Sequence, residues 1–410
     1  MSQKGLSSNT IYTYMGLMIF CGSINTIANK MQQNSDALGK NYHHVWFIVF
    51  CMFLGEMLCG LWYLIWKWRQ SKVEPALLEQ IQLDANGVPL KEASPFLLAI
   101  PTMCDFMGST IQIFGLTMMA GSVYQMFRGS LIFFTALFSV IFLKNKLYKH
   151  HFLGLLFVIS GLILVGLSSK IYPASRPDSC GGGSQSQDSP WGMILVVAGQ
   201  LFSSSQYIVE EKFMKGYHCH PLRAVGYEGL WGTLLYFILL MIFDFIKCDA
   251  DNGLTSYICS EDDSGEWRVE NVPFAFRQMG DNGILCFCAI LYVFSISIFN
   301  FVGISVSKYA SSSSRAVVDT IRTIVVWAFF LMPFIDECHR EQFVYLQLIG
   351  FFLLICGTVT FNEVIEIPFF GLNENTKKRI KEREVEKKLE EENWKINNKD
   401  NASDVSSMKE

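Results

Sequence analysis

The sequence predicts an all-α membrane protein: ten transmembrane helices arranged as two inverted five-helix repeats. Three observations predict it. Hydrophobic residues make up 51% of the 410 and charged residues 17%, below the roughly 25% of soluble domains. The apolar residues gather in ten runs, near 11–30, 43–66, 95–119, 121–143, 150–169, 190–212, 222–246, 282–306, 311–334 and 343–366; each is about 20 residues or more, enough to cross a hydrocarbon core of about 30 Å. Two stretches also look like copies of each other. Shifted by 194 positions, Val123 falls on Val317, Gln125 on Asp319 and Arg128 on Arg322.

Taken in order, residues 1–10 form a short cytoplasmic N-terminus. The first span begins at Ile11 and has no small-residue cleavage site, so it is a retained helix rather than a signal peptide. Residues 11–169 are the first repeat. Spans three and four are parted only around Ala120-Gly121, which implies a tight turn. Residues 170–189, rich in Gly, Ser, Pro and Gln, form a flexible linker. Residues 190–366 are the second repeat, where spans eight and nine part at Lys308 to Ser314. Small residues there let helices approach closely. Five spans on each side of the linker force the second half to enter from the opposite face, which is the inverted-repeat arrangement. Recurrent polar and small residues agree with duplication: Glu56 and Gly60 with Glu228 and Gly232, Gln112 and Gly115 with Asn300 and Gly303, and Gly154 and Gly161 with Gly350 and Gly357.

Orientation follows the lysine and arginine bias. With the N-terminus cytoplasmic, 13 such residues before the tail, Lys308 and Arg315 among them, fall on the cytoplasmic side against 8 opposite. The charged tail, 367–410, adds ten more. Both termini are therefore expected inside. The acidic segment 247–281 is then non-cytoplasmic. Cys248 and Cys259 flank its polar stretch and could pair if that face is oxidising. The tail run from Lys377 to Glu392 alternates in charge as a solvated helix does. Asn401-Ala402-Ser403 is a glycosylation sequon that a cytoplasmic tail would leave unused.

A charge at bilayer depth is costly, so it faces a polar interior and marks a functional site. Arg128 and Arg322 lie roughly 10–17 Å from their helix starts at 1.5 Å per residue, and either could fork a carboxylate or phosphate. Arg322 could instead pair with Asp319 on its own helix and simply lock two helices. Gln125 and Asp319 share a face with the arginines. Tyr124 could stack on a planar substrate or merely pack. Asn25, Gln112 and Asn300 could line a cavity or bond helix to helix. Glu56, Glu228 and Asp105 are proton-coupling candidates, with hydrogen-bonded packing as the alternative. No metal-ligand spacing, phosphate loop, nucleophile–base pair or cofactor motif appears. His218-Cys219-His220 lacks a fourth ligand. No basic patch interleaved with aromatics points to nucleic acid.

These residues resemble a known family. Ten spans in a five-plus-five repeat resemble the drug/metabolite transporter superfamily. Gly22-Ser23-Ile24-Asn25-Thr26, Met52 to Glu56, Gly121 to Gly129 and Arg315 to Trp327 look like the F group of solute carrier family 35, which has a member associated with lysosomal and mitochondrial membranes. The Tyr124-Gln125-x-x-Arg128 stretch is also similar to chloroquine-resistance-transporter-like proteins. The resemblance covers about residues 11–366 and implies alternating-access movement of small organic solutes, with no fixed substrate. The expectation is a secondary transporter of an anionic or zwitterionic metabolite, not an enzyme. A non-transporting scaffold that docks protein partners on segment 247–281 or the tail is the alternative, and a homodimer is left open. A lysosome- or vacuole-like membrane is favoured over the mitochondrial inner membrane, because a disulfide suits an oxidising lumen.

Overall fold

The computed structural model describes residues 8–73, 90–172, 189–248, 258–261, 265–332, 343–363, 371–376, 378–380, 382–387 and 389–391. Most of the expected linker, part of segment 247–281, and the sequon lie outside them. The helices run α1 Ser8–Gln33, α2 Val45–Val73, α3 Ala99–Thr117, α4 Gly121–Arg128, α5 Leu131–Leu143, α6 Lys149–Ile171, α7 Pro190–Gly216, α8 Pro221–Phe243, α9 Val272–Asp281, α10 Gly283–Tyr309, α11 Ser312–Phe330 and α12 Tyr345–Phe361. Seven segments among the described residues are long and apolar enough to cross a membrane: α1, α2, α4 with α5, α6, α7, α8 and α10. The other three expected spans fall on α3, α11 and the 17-residue α12. Polar residues interrupt the first two: Asp105 and Gln112 on α3, and Arg315, Asp319 and Arg322 on α11.

The helices pack mainly across the halves of the chain: α6 on α12, α2 on α8, α3 on α7 and α1 on α10. Glycine makes two of these seams. A Cβ on Gly154 would sit 2.8 Å from the Gly357 carbonyl oxygen, and one on Gly350 would sit 2.9 Å from the Gly161 oxygen. On α3 and α7, Gly108 faces Gly199 and Gly115 faces Gly192 in the same way. Backbones this close gain dispersion contacts that lipid cannot replace. The Glu56/Gly60 and Glu228/Gly232 equivalence does not become a mutual contact: Gly60 lies against Gly226, while Gly232 makes room for the Phe53 ring.

The structure keeps span four as one segment, Gly121–Leu143, with a tightened turn inside it. Within it, α4 ends at Arg128 and α5 starts at Leu131. Gly129 N–H turns back to the Met126 oxygen at 3.0 Å and Ser130 N–H to the Phe127 oxygen at 3.1 Å. Such tightening to i→i+3 bonds is ordinary at a Gly-Ser pair within a helix. It falls directly after the arginine.

Two small hairpins, Asp36–Ala37 with Lys40–Asn41 and Ser260–Glu261 with Trp267–Arg268, lie at the ends of α1 and α8. Cys248 and Cys259 are joined, their sulfurs 2.01 Å apart. Buried His44 Nδ1 meets Glu270 Oε1 at 2.5 Å and its Nε2 meets Gln278 at 3.0 Å. That bond ties the start of α2 to the segment carrying the disulfide.

Candidate functional site

A cavity opens where α1, α3, α4, α7, α10 and α11 meet. Its lining includes Asn25, Asn29, Asp105, Gln112, Tyr124, Arg128, Gln206, Tyr207, Asn300, Arg315 and Arg322. About 80 Å³ is open to water-sized molecules. Small-molecule pockets usually offer about 300 Å³ or more, so the space here is small by comparison.

The arginines converge. Arg128 Nη2 lies 3.0 Å from Asp319 Oδ2, and Arg322 Nε lies 2.9 Å from Asp319 Oδ1. The second contact is an ion pair without hydrogen-bond alignment, because both atoms lack a bonded partner by geometry. Arg128 also donates to the Tyr124 hydroxyl at 3.1 Å, and Arg322 donates to the Gly22 carbonyl at 2.9 Å. Gly22 is required there, since a Cβ would fall 2.5 Å from Arg322 Nη1. The Phe299 ring lies under Arg322, 4.9 Å from centroid to Cζ. Guanidinium is the group suited to such dry, flat settings.

A second ionic cluster sits beside the first, and sequence reasoning missed its centre. Arg315 was counted among the cytoplasmic flanking charges. The structure buries it to 1% exposure, paired with Glu210 and lying 3.8 Å over the Tyr207 ring. Removing it from the count leaves the charge bias in the same direction. Glu210 had no signal, because an acid near the end of a long apolar run reads as a flank. Around the pair are Asp105, which accepts from Ser109 at 2.6 Å, and Glu56, which accepts from Asn300 at 2.5 Å. Glu228 is buried nearby, close enough to act electrostatically on both.

The remaining candidates divide. Asn25 lines the cavity and accepts from Ser295. Gln112 lines it too, held between Ser203 and Gln200 at 2.7 Å each. Tyr124 lines it as a partner of Arg128 rather than as a free stacking face. Gln125 is not on the lining: it is fully buried and donates to Thr26 on α1, so it joins helices. Asp319, Glu56 and Glu228 stand behind the lining.

The Tyr217-His218-Cys219-His220 loop is spent on structure. His220 caps α8, its Nδ1 accepting from Leu222 N at 3.2 Å. Burial, then Lys308 and His218, lowers its pKa to about 4. Among the described residues, one group could reach a metal: His150, His151 and Glu363. However, His151 Nδ1 accepts from Tyr148 N at 3.1 Å. That leaves the proton of a neutral ring on Nε2, the atom a metal would need.

A sequence profile described as the nucleotide-sugar transporter family matches residues 7–254. The chain is similar to the human protein named solute carrier family 35 member F6, 32% identical over 380 residues, covering 91% of this chain and 94% of that one. The Rattus norvegicus protein of the same name is 33% identical, covering 85% and 87%. An uncharacterised Schizosaccharomyces pombe protein is 27% identical, covering 86% and 97%. The human and rat relatives are named solute carriers rather than enzymes, and the ionic cavity lies within a bundle of apolar helices. The chain is a multi-pass membrane transporter belonging to solute carrier family 35.

Proposed function

We propose that the protein is a secondary active transporter that moves small polar organic metabolites, anionic or zwitterionic, across an organelle membrane by alternating access. The observation that carries this reading is the pair of arginines from opposite halves, partly buried Arg128 and buried Arg322, sharing one carboxylate beside the cavity. An incoming carboxylate or phosphate can take the place of Asp319 on both guanidiniums without unpairing them in a dry site. The reading includes ten spans in two inverted repeats, with both termini cytoplasmic. The cross-half packing supports it: α1 packs on α10 and α7 on α3, the contacts that such a repeat would make equivalent.

Two ties at the span junctions suit alternating gates. Lys30 on α1 donates to the Leu116 and Met119 carbonyls at 3.1 and 2.8 Å, closing the end of α3 before the Ala120 turn. Glu211 on α7 accepts from Ser312 N at 2.7 Å and from its hydroxyl, closing the start of α11 after the Ser311 turn. In the inverted arrangement these ties lie on opposite faces, and each must open in turn. Asp105, Glu56 and Glu228 are the groups able to carry a proton between faces. The disulfide supports a lysosome- or vacuole-like lumen for segment 247–281.

The family description supplies a second reading, a nucleotide sugar whose diphosphate the same arginines would hold. The test is uptake into proteoliposomes, with and without a proton gradient, against pooled amino acids, peptides, nucleotides and nucleotide sugars. Uptake lost in folded Arg128→Ala and Arg322→Ala supports the site. No uptake of any solute by correctly inserted protein returns the scaffold reading, with partners sought on segment 247–281 and the tail.

A further inference from the structure

The cavity has two electrical poles, and the proposed function uses only one of them. At one end stand Arg128 and Arg322 with a single carboxylate, Asp319, between them. At the other stands Asp105, on the lining, with Glu56, Glu210 and Glu228 around it and, among the described residues, only Arg315 to balance them. Arg315 is committed to Glu210. Asp105 accepts from Ser109 and has no lysine or arginine within ion-pair distance among the described residues. A purely anionic solute would find no free cation at this end among the described residues, whereas an ammonium would find the Asp105 carboxylate on the lining.

The geometry sets the spacing of the poles. Asp105 lies fifteen residues before the Ala120 turn on α3, and Arg128 eight residues after it on α4. At a rise of 1.5 Å per residue their depths differ by about 10 Å. Extended chain covers about 3.3–3.6 Å per residue, so about three residues span it. The lining also holds polar atoms without partners. Asn25 Nδ2, a donor, and Asn29 Oδ1, an acceptor, are both buried and unbonded, one helical turn apart on α1. A peptide group carries one acceptor and one donor, and would satisfy both atoms.

We infer that the solute is an elongated zwitterion of about tripeptide size, its carboxylate on Arg128 and Arg322 and its ammonium on Asp105. This rests on the transporter reading and narrows it. Glu56 and Glu228, behind the lining, are left to move protons, while Asp105 contacts the solute. Substrate charge thus cancels at both ends, so neither pole is left bare when Asp319 is displaced.

The experiment compares four probes in proteoliposomes holding the full-length protein: radiolabelled trialanine, N-acetyl-trialanine, trialanine amide and UDP-glucose. The expected result is uptake of trialanine at least tenfold above either blocked form and above UDP-glucose. Asp105→Asn should reduce the preference for the free over the acetylated amine to near unity. Arg128→Met should do the same for the free over the amidated carboxylate. The comparison within the wild type needs no variant to fold. Equal uptake of trialanine and its acetylated form, or uptake of UDP-glucose with the peptides excluded, overturns the zwitterion assignment and leaves a transporter of anions. No uptake of any of the four by inserted protein overturns this inference alone; the transporter reading falls only if the pooled solutes are refused as well.

Discussion

Arg128, at the last turn of α4, lies 3.0 Å from Asp319 on α11, a residue 191 positions later in the chain. The repeat equivalence pairs Arg128 with Arg322, but the contact runs from each arginine to the same acid. Asp319 therefore holds two cations, and its removal unpairs both. Breaking a buried pair from one side costs roughly 3–5 kcal/mol. Asp319→Asn should destabilise the protein more than Arg128→Met, which leaves Asp319 its second partner. Thermal unfolding in detergent orders the two variants, and the reverse order would show that Asp319 is not the shared partner.

Lysine should not replace Arg128. The guanidinium serves the Tyr124 hydroxyl and Asp319 at once, through Nη1 and Nη2. A lysine ammonium is a single point charge without that planar fork. Arg128→Lys is expected to fold and to lose tenfold or more in uptake. Full activity in that variant would argue for simple charge balance.

The junction ties should oppose each other. Lys30→Met weakens the closure of α3, and Glu211→Gln weakens the capping of α11. Single cysteines placed on the lining should react faster with a membrane-impermeant reagent from one face in the first variant and from the other face in the second. Faster labelling from the same face in both would contradict alternating closure.

The glycine seam between α6 and α12 tolerates no side chain. A Cβ at Gly357 would meet the Gly154 carbonyl oxygen at 2.6 Å, backbone that cannot move aside. Overpacking costs about 1–3 kcal/mol, so Gly357→Leu should lower the unfolding temperature measurably. Gly16, with open space around it, serves as the control and should accept Leu without change.

The cap on α8 should respond to acid. His220 titrates near 4 in the fold, against about 6.5 in an unfolded chain. Its contribution to stability is therefore present above about 6.5 and is lost as pH falls toward 4. Protonated Nδ1 can no longer accept from Leu222 N. Hydrogen exchange at Leu222 to Val225, corrected for intrinsic rate, should rise across that window in the wild type. It should rise less in His220→Asn, whose side chain caps at any pH.

Reducing Cys248–Cys259 frees a short loop, eleven positions apart in sequence. Chain-entropy arguments put such a closure at about 3 kcal/mol, all of it within segment 247–281. Cys259→Ser should raise protease cutting there while leaving uptake intact.

By itself the sequence determined the apolar spans, the place of the tight turns and the repeated arginine, because bilayer thickness and charge burial act on residue type and spacing alone. The resemblance of Gly121 to Gly129 and Arg315 to Trp327 was local enough to be read without a fold. Spacing could not show which partner each polar residue would meet. Arg315 read as a flank and proved central, while Gln125 read as a site residue and proved a bond to Thr26. The tightened turn after Arg128 was equally unread, since a Gly129-Ser130 pair is compatible with either a regular or a tightened helix. Only the tertiary structure decided these, because a buried charge finds its counter-charge across helices more than a hundred residues apart. Close approach at paired glycines fixes which helices those are.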